Sequence, residues 1–170
     1  MKEIRWHARA GQGAKTASQL YAAAALRSGL YAQAFPEYGP ERRGAPLRAY
    51  TRVDERPIRR HDSIDQPDVV AVLEPSLLHE VDVAAGLAPD GVLLVNAETL
   101  PEDLAGRGLD ARCVPARNHS TNLALAGAVA ALTDLPADAV VEAAVELLGR
   151  KVDRAEIVTA IQEGYGCLVC

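Results

Sequence analysis

The stretch EIRWHARAGQGAKTASQL, residues 3–20, decides the fold, because a strand pattern runs through a glycine turn into an alanine-rich helix pattern. Apolar Ile4 and Trp6 alternate with polar neighbours, and apolar residues then recur at helical spacing as far as Ser28 and Gly29. A strand, a glycine turn and a helix in this order make a Rossmann-like start. The first N–H groups of the helix have no partner within it, so the turn is suited to binding an anion.

Residues 11–13, which we call the GQG turn, are the candidate anion site. Glycine lets a backbone come close to a phosphate, but neither of two sharper phosphate motifs is complete here. Ala14 separates the turn from Lys15, whereas a P-loop needs glycine and lysine side by side, and Thr16 stands where a dinucleotide fingerprint has its third glycine. The residues alone leave two interpretations open: a phosphate-facing turn, or a turn that needs glycine only for its backbone.

Length and composition predict one cytoplasmic domain, residues 1–170, that binds neither nucleic acid nor membrane. The chain has 170 residues, of which 49% are hydrophobic, enough for one core. Its net charge of −5 and its few aromatic residues argue against nonspecific nucleic-acid binding. The longest apolar run, residues 123–132, is about half the length of a membrane span. The N-terminus lacks the apolar core of a signal peptide, and three cysteines fit a reducing compartment.

Strand and helix patterns alternate through the first part of the chain, and helices finish it. Residues 69–73 and 91–95 are continuous apolar runs, as expected for strands covered on both faces of a parallel sheet, and 75–85 between them predicts a short helix. The strands predicted at 31–35 and 47–53 follow each other without a helix, which favours an antiparallel pair. The sequence therefore predicts a three-layer α/β/α domain with a mostly parallel, mixed sheet and a helical C-terminal third. The further predictions are a strand at 111–115, a helix to 132 capped by Asn118, Ser120 or Thr121, a helix to 149 capped by Asp138, and a last helix capped by Asp153.

Arginine is concentrated between residues 42 and 60 of an otherwise acidic protein. In the strand predicted at 47–53, Arg48 and Arg52 alternate with apolar residues, so one face of the strand is basic. This face is either solvated and balanced by nearby carboxylates, or it contacts a partner subunit or an anion, because the arginine fork suits carboxylate and phosphate. The arginines concerned are Arg42, Arg43, Arg48, Arg52, Arg56, Arg59 and Arg60.

The residues predict no catalytic group and no metal site. The sequence has no Gly-x-Ser-x-Gly nucleophile elbow. Its four histidines share no ligand spacing and are interpreted as ordinary surface or turn residues. Cys167 and Cys170 form a terminal CxxC, but one such pair supplies only two of the four ligands of a closed site, which favours a frayed tail.

Four segments together resemble the gamma subunit of the 2-oxoacid:ferredoxin oxidoreductases, the pyruvate:ferredoxin oxidoreductase family. The most specific part of the resemblance is the GQG turn combined with QAFP at 33–36 and ERRGAP at 41–46. Ala8 and Ala10 stand where the family usually has glycine. The four segments are IRWHARAGQGAKTASQLYAAAAL, YAQAFPEYGPERRGAPLRAYTRV, PDVVAVLEPSLL and DGVLLVNAETL.

The resemblance implies a subunit of an enzyme that oxidatively decarboxylates a 2-oxoacid, passes electrons to ferredoxin and transfers the acyl group to coenzyme A. Its partners would be alpha, beta and delta subunits, which would carry thiamine diphosphate, Mg²⁺ and the [4Fe-4S] clusters, so this chain alone would be inactive. The resemblance also associates the chain with the coenzyme A side of the active site. The implied site residues are Gly11, Gln12 and Gly13 near the phosphates, with Arg42, Arg43 and Arg9 as cationic partners.

Two other functions remain open at this point. The first is a free-standing Rossmann-like dinucleotide-binding protein, in which Glu37, after the second strand, would bind a ribose. The second is a purely structural docking subunit, whose arginine-rich strand contacts a partner and which binds no ligand. The size of the native assembly and a coenzyme A titration separate these two functions from the leading one.

Overall fold

The computed structural model describes residues 1–37, 44–105, 107–116 and 120–168. The strands are β1 (Lys2–Arg9), β2 (Tyr31–Glu37), β3 (Pro46–Asp54), β4 (Val69–Val72), β5 (Val92–Val95) and β6 (Asp110–Cys113). They form one sheet in the order β2-β3-β1-β4-β5-β6. β1, β4, β5 and β6 pair in parallel, whereas β3 is antiparallel to both of its neighbours. The predicted mixed sheet and its antiparallel pair are confirmed.

β2 forms one edge of this sheet and runs two residues further than predicted, through Pro36 to Glu37. Proline has no N–H to give to a ladder, so sheets accept it mainly in edge strands. β3 lies between β2 and β1, so Glu37 is not on the strand next to the GQG turn, as the ribose-binding acid is in a dinucleotide-binding fold. Glu37 instead accepts a hydrogen bond from the Tyr50 hydroxyl at 2.5 Å.

The helices are α1 (Ala14–Arg27), a 3-10 helix (Pro75–His79), α2 (Glu102–Ala105), α3 (Thr121–Leu132), α4 (Ala137–Leu148) and α5 (Arg154–Gly166). The four long helices pack together on one face of the sheet, and their core includes fully buried Ile4, Trp6, Leu20, Leu125 and Ile161. The predicted helical C-terminal third is therefore confirmed. None of the helices in the described ranges is both long and apolar enough to cross a membrane.

The predicted helix caps are only partly correct. Asp153 caps α5, because its carboxylate accepts a hydrogen bond from the Ala155 N–H at 3.0 Å. Asp138 does not cap α4, because the helix begins one residue earlier and Pro136 is the N-cap, which leaves Asp138 in the first turn. Ser120 is the N-cap of α3 but makes no side-chain cap hydrogen bond, and Asn118 lies outside the described residues.

The opposite face of the sheet has a thinner cover. A smaller core cluster joins Val70 and Val72 of β4 to Leu77 of the 3-10 helix. The helix predicted over 75–85 is wrong beyond its first residues, since only Pro75–His79 is helical. In the irregular stretch that follows, the carbonyls of Val83 and Ala85 accept hydrogen bonds from Arg5 Nη2 on β1, at 2.9 and 2.6 Å.

α3 and α5 approach each other closely because each helix has a glycine that faces the backbone of the other helix. A methyl group at Gly127 of α3 would lie 2.3 Å from the Ile161 carbonyl oxygen, and one at Gly164 of α5 would lie 1.9 Å from the Ala124 carbonyl oxygen. The small residues of α3 thus contact a helix of the same chain. They are buried there, so this surface of α3 is covered within the chain itself.

The basic face of β3 is less solvated than its sequence suggests. Arg52 is fully buried, donates to Glu3 at 2.7 Å and lies 5.5 Å from the centre of the Phe35 ring. His7 on β1 is also buried, only 4% exposed, which corrects its interpretation as a surface or turn histidine. Burial, followed by the charges of Arg5 and Arg48, lowers the pKa of His7 to about 3.

Candidate functional site

The GQG turn lies in a crevice at the carboxyl ends of β1 and β4. After β1 the chain enters α1, on the face of the sheet that the four long helices cover. After β4 it enters the 3-10 helix, on the opposite face. Open α/β sheets bind ligands where the connections diverge in this way. The crevice has a volume of about 520 Å³, and its lining comprises Gly11, Gln12, Gly13, Thr16, Leu73, Glu74, Asn96, Ser120, Thr121, Asn122, Leu123, Leu148, Val152 and Glu156.

Both glycines of the turn adopt a backbone conformation that other residues rarely tolerate. Gly11 has φ +96° and Gly13 has φ +90°. A methyl group at Gly11 would meet no atom within 4 Å, whereas one at Gly13 would lie 3.2 Å from the side-chain nitrogen of Asn122. Glycine is therefore required by the backbone at both positions, and Gly13 also allows α3 to come near the turn.

The side chain of Gln12 connects the turn to the end of β4 through hydrogen bonds. Its Oε1 accepts a hydrogen bond from the Arg9 N–H at 2.8 Å, and its Nε2 donates to the Glu74 carboxylate at 2.7 Å. Burial opposes ionisation of Glu74, but the hydrogen bonds from Gln12 and from Ser76 outweigh it and lower the pKa of the carboxyl. Glu74 therefore stays negatively charged beside the turn.

Arg9 also lies near the turn, but its guanidinium already has partners. It donates to Ser76 Oγ at 2.8 Å and to both carboxylate oxygens of Glu80, at 2.5 and 3.3 Å. The hydrogen bond from Arg9 lowers the pKa of Glu80. Arg9 would have to leave Glu80 to bind a phosphate, so its predicted role stays a prediction. Arg42 and Arg43 lie outside the described residues.

The crevice receives two helix N-termini, which supply the positive ends of two helix dipoles. The N-cap residues Gly13 of α1 and Ser120 of α3 make no side-chain hydrogen bond to the first helical turn. Ser120 Oγ donates to the Glu156 carboxylate at 2.9 Å instead. Glu74 and Glu156 are the only charged residues among the described lining residues, so cations for a phosphate would have to come from outside that lining.

Sequence reasoning missed the wall of the crevice opposite the GQG turn. Asn96, Thr121 and Asn122 line it, and none of them was predicted as a site residue, although Asn96 lies within the segment DGVLLVNAETL. One signal was available for Asn96, because it directly follows the apolar run of β5 and parallel strands end at the same edge of a sheet.

A second cavity of about 790 Å³ adjoins the crevice at Asn96 and extends to Glu163 and Cys167 near the end of α5. Within the described residues, no group of three or more His, Cys, Asp or Glu side chains is placed to hold a metal ion. Cys167 is exposed, and Cys170 lies outside the described residues. The predicted irrelevance of the CxxC pair to metal binding stays a prediction.

Known proteins match the chain over most of its length. The family model for pyruvate ferredoxin/flavodoxin oxidoreductase matches residues 3–167. The chain is 46% identical over 158 residues to the pyruvate/ketoisovalerate oxidoreductases common subunit gamma of Pyrococcus abyssi, an alignment that covers 86% of this chain and 85% of that protein. The sequence similarity thus extends well beyond the GQG turn.

Two solved structures share the fold. The crystal structure of pyruvate oxidoreductase subunit PORC from Thermotoga maritima has a TM-score of 0.75 and 35% identity, covering 97% of this chain and 95% of that one. A 2-oxoglutarate:ferredoxin oxidoreductase of Magnetococcus marinus, with 2-oxoglutarate, coenzyme A and succinyl-CoA bound, has a TM-score of 0.78 at 18% identity. The match covers 99% of this chain but 31% of that one, so the fold also occurs as one part of a longer chain.

Proposed function

Because the chain belongs to the pyruvate ferredoxin/flavodoxin oxidoreductase family and is a gamma-type subunit of a 2-oxoacid oxidoreductase complex, we propose that its crevice forms part of the coenzyme A side of the active site. The alpha, beta and delta-type subunits would complete the site and would carry thiamine diphosphate, Mg²⁺ and the [4Fe-4S] clusters. This chain has three cysteines, fewer than the four thiolates that one such cluster takes. Ferredoxin or a related acceptor would receive the electrons from those subunits.

One observation carries the proposal: the GQG turn and the N-terminus of α3 meet in one crevice at the divergence of β1 and β4. Coenzyme A combines phosphates with an arm that contains amides and ends in a thiol. Uncapped helix N-termini favour negative groups, and the side-chain amide of Asn122 supplies polar atoms for the arm. In this arrangement the chain binds and orients coenzyme A, and the bond-breaking steps take place on the other subunits.

The phosphates need cations that the described lining does not supply, which keeps Arg42 and Arg43 as the predicted partners. The described residues that follow them support this assignment. Gly44 accepts a hydrogen bond from Arg9 Nη1 at 3.2 Å, and Ala45 accepts one from the Ala10 N–H at 2.9 Å. Gly44 and Ala45, which follow the two arginines in the sequence, therefore lie beside the residues that lead into the GQG turn.

The first experiment replaces Gly11 by alanine in the assembled complex. A methyl group there would project into open space at the crevice, so we expect the KM for coenzyme A to rise about tenfold, equivalent to about 1.4 kcal/mol. Reduction of the acceptor by 2-oxoacid in the absence of coenzyme A should be unchanged. Gly29→Ala is the matched control, because Gly29 also has positive φ and open space but follows α1 at its far end. An unchanged KM in Gly11→Ala would refute the proposal.

The second experiment tests the arginines with the double variant Arg42→Ala, Arg43→Ala. Each lost charge-assisted contact to a phosphate costs on the order of 1.5–3 kcal/mol, so the KM for coenzyme A should rise steeply while reduction by 2-oxoacid alone is spared. A complex that assembles with an unchanged KM would remove the arginines from the site. Failure of the double variant to assemble would identify them as a docking surface for a partner subunit.

The fold gives no support to the dinucleotide-binding alternative. Its ribose-binding residue would be Glu37, but this side chain is bonded to Tyr50 and lies on the edge strand, separated from β1 by β3. The docking-subunit alternative differs from our proposal only in the absence of a ligand, so the coenzyme A measurements above decide between the two.

A further inference from the structure

The side chain of Asn96 makes three hydrogen bonds, each to a different part of the chain. Its Nδ2 donates to the Leu73 carbonyl at 3.1 Å and to Thr121 Oγ1 at 3.4 Å, and its Oδ1 accepts from the Ala116 N–H at 3.1 Å. Leu73 follows β4, Ala116 follows β6, and Thr121 is the first residue of α3. One amide therefore joins the ends of two strands to the beginning of a helix.

This set of partners requires an amide. A primary amide offers two N–H donors and a carbonyl acceptor, and all three are used here. Aspartate would keep the acceptor for Ala116 but would place a negative oxygen against the Leu73 carbonyl. Leucine would fill the space and lose every hydrogen bond. The backbone of Asn96 is fixed independently, since its N–H donates to the Val72 carbonyl at 3.0 Å.

Asn96 lies at the boundary between the two cavities, because it lines both the crevice and the larger cavity next to it. Through Thr121 it holds the first residue of α3, and the next residue, Asn122, is the side chain nearest to Gly13 of the GQG turn. The hydrogen bond to Thr121 thus links Asn96 to the helix N-terminus that lies beside the GQG turn.

We propose that Asn96 is a positioning residue that holds the N-terminus of α3 against the GQG turn through Thr121, and so sets the affinity of the crevice for coenzyme A. The inference rests on the proposed function. It adds Asn96 and Thr121 to the site. Through these two residues, the position of Asn122 relative to the GQG turn is fixed.

The test compares the same substitution at the two ends of α3, in the assembled complex. Thr121→Val removes the hydroxyl that Asn96 contacts and keeps the side-chain shape. Thr133→Val removes the hydroxyl at the C-cap of the same helix, which lies 2.5 Å from the Tyr21 hydroxyl, about 18 Å along the axis from Thr121. Both threonines are partly buried. Thr133 Oγ1 has more partners than Thr121 Oγ1, since it also contacts the Val129 and Ala130 carbonyls, so a general loss of stability should be at least as large in Thr133→Val.

We expect Thr121→Val to raise the KM for coenzyme A about 2- to 10-fold, with the KM for 2-oxoacid and the rate of acceptor reduction without coenzyme A unchanged. Thr121→Ser, which keeps the hydroxyl, should restore the parent value, and Thr133→Val should leave it unchanged. Asn96→Asp should raise the KM at least as much as Thr121→Val. If Asn96→Asp does not assemble, the threonine series alone decides.

Equal KM values for coenzyme A in Thr121→Val and Thr133→Val would overturn the inference, as would failure of Thr121→Ser to restore the parent value. Failure of this inference can be distinguished from failure of the proposed function. If Gly11→Ala raises the KM and Thr121→Val does not, coenzyme A binds in the crevice without depending on Asn96. If neither variant changes the KM, the proposed function itself is wrong.

Discussion

Replacing Gly164 by alanine should destabilise the protein by forcing α3 and α5 apart. A methyl group at this position would lie 1.9 Å from the Ala124 carbonyl oxygen, and the obstructing atom belongs to a helix backbone that cannot rotate away. A normal contact requires the two helices to separate by about 1 Å, a gap large enough to forfeit a quarter to a half of the dispersion attraction between facing atoms. Their interface includes fully buried Ile157 and Ile161.

The expected magnitude follows from two opposing effects. Overpacking in a well-packed core costs about 1–3 kcal/mol, and a rigid carbonyl places Gly164→Ala at the upper end of that range. Alanine is a better helix former than glycine by up to about 1 kcal/mol. We therefore expect the free energy of unfolding to fall by about 2 kcal/mol, a large part of the stability of an ordinary domain.

The assay is urea denaturation of the chain, followed by far-UV circular dichroism, with Gly166→Ala as the matched control. Gly166 ends the same helix, and a methyl group there would meet no atom within 4 Å. The free energy of unfolding of Gly166→Ala should lie within about 0.5 kcal/mol of the parent value, as is usual for surface substitutions. Equal unfolding free energies for the two variants would refute the reasoning. Adding Gly127→Ala to Gly164→Ala should cost less than the sum of the single changes, because one displacement relieves both contacts.

Three further predictions concern other parts of the molecule. The low pKa of buried His7, about 3 against 6.5 in an unfolded chain, means that the unfolded state binds the extra proton first, so stability should fall as pH drops from 6.5 towards 3. Relative to His7→Gln, the parent should lose about 3 kcal/mol of unfolding free energy between pH 7 and pH 4, and parallel curves would contradict this. Cys167→Ser with Cys170→Ser should leave the metal content and turnover of the complex within about a factor of two; loss of stoichiometric iron or zinc would show that the tail binds metal. The purified chain alone should reduce no acceptor with 2-oxoacid, and activity without added subunits would disprove its dependence on them.

The elements that the sequence predicted well are those in which local pattern and tertiary structure agree. The turn at Gly11 and Gly13 has the positive φ that only glycine adopts readily, and the apolar run of β4 is buried between the two core clusters. The antiparallel pairing of β2 and β3 was predicted because the sequence has no helix pattern between the two strands. In each case the deciding information lies within a few residues of the element itself.

The predictions that failed depended on distant partners. The helix expected over 75–85 ends at His79, and the residues beyond it are held by Arg5, far away in the sequence, which donates to the Val83 and Ala85 carbonyls. His7 is buried because its neighbours in the sheet are covered, which no spacing of histidines reveals. Asn96 escaped notice because its partners are two backbone groups and one hydroxyl brought together only by folding. Local spacing does not identify side chains that organise an edge of a sheet in this way.

Pro36 has a consequence for how the subunit can meet its neighbours. An edge strand with a full row of N–H and C=O groups is a template for strand addition, and hence for aggregation. The proline in β2 removes one donor from that strand, so an incoming chain could not form a continuous ladder along it. This edge of the subunit is thereby a poorer template for sheet-to-sheet polymerisation, and the exposed Tyr31 side chain at the other end of β2 is available there for recognition.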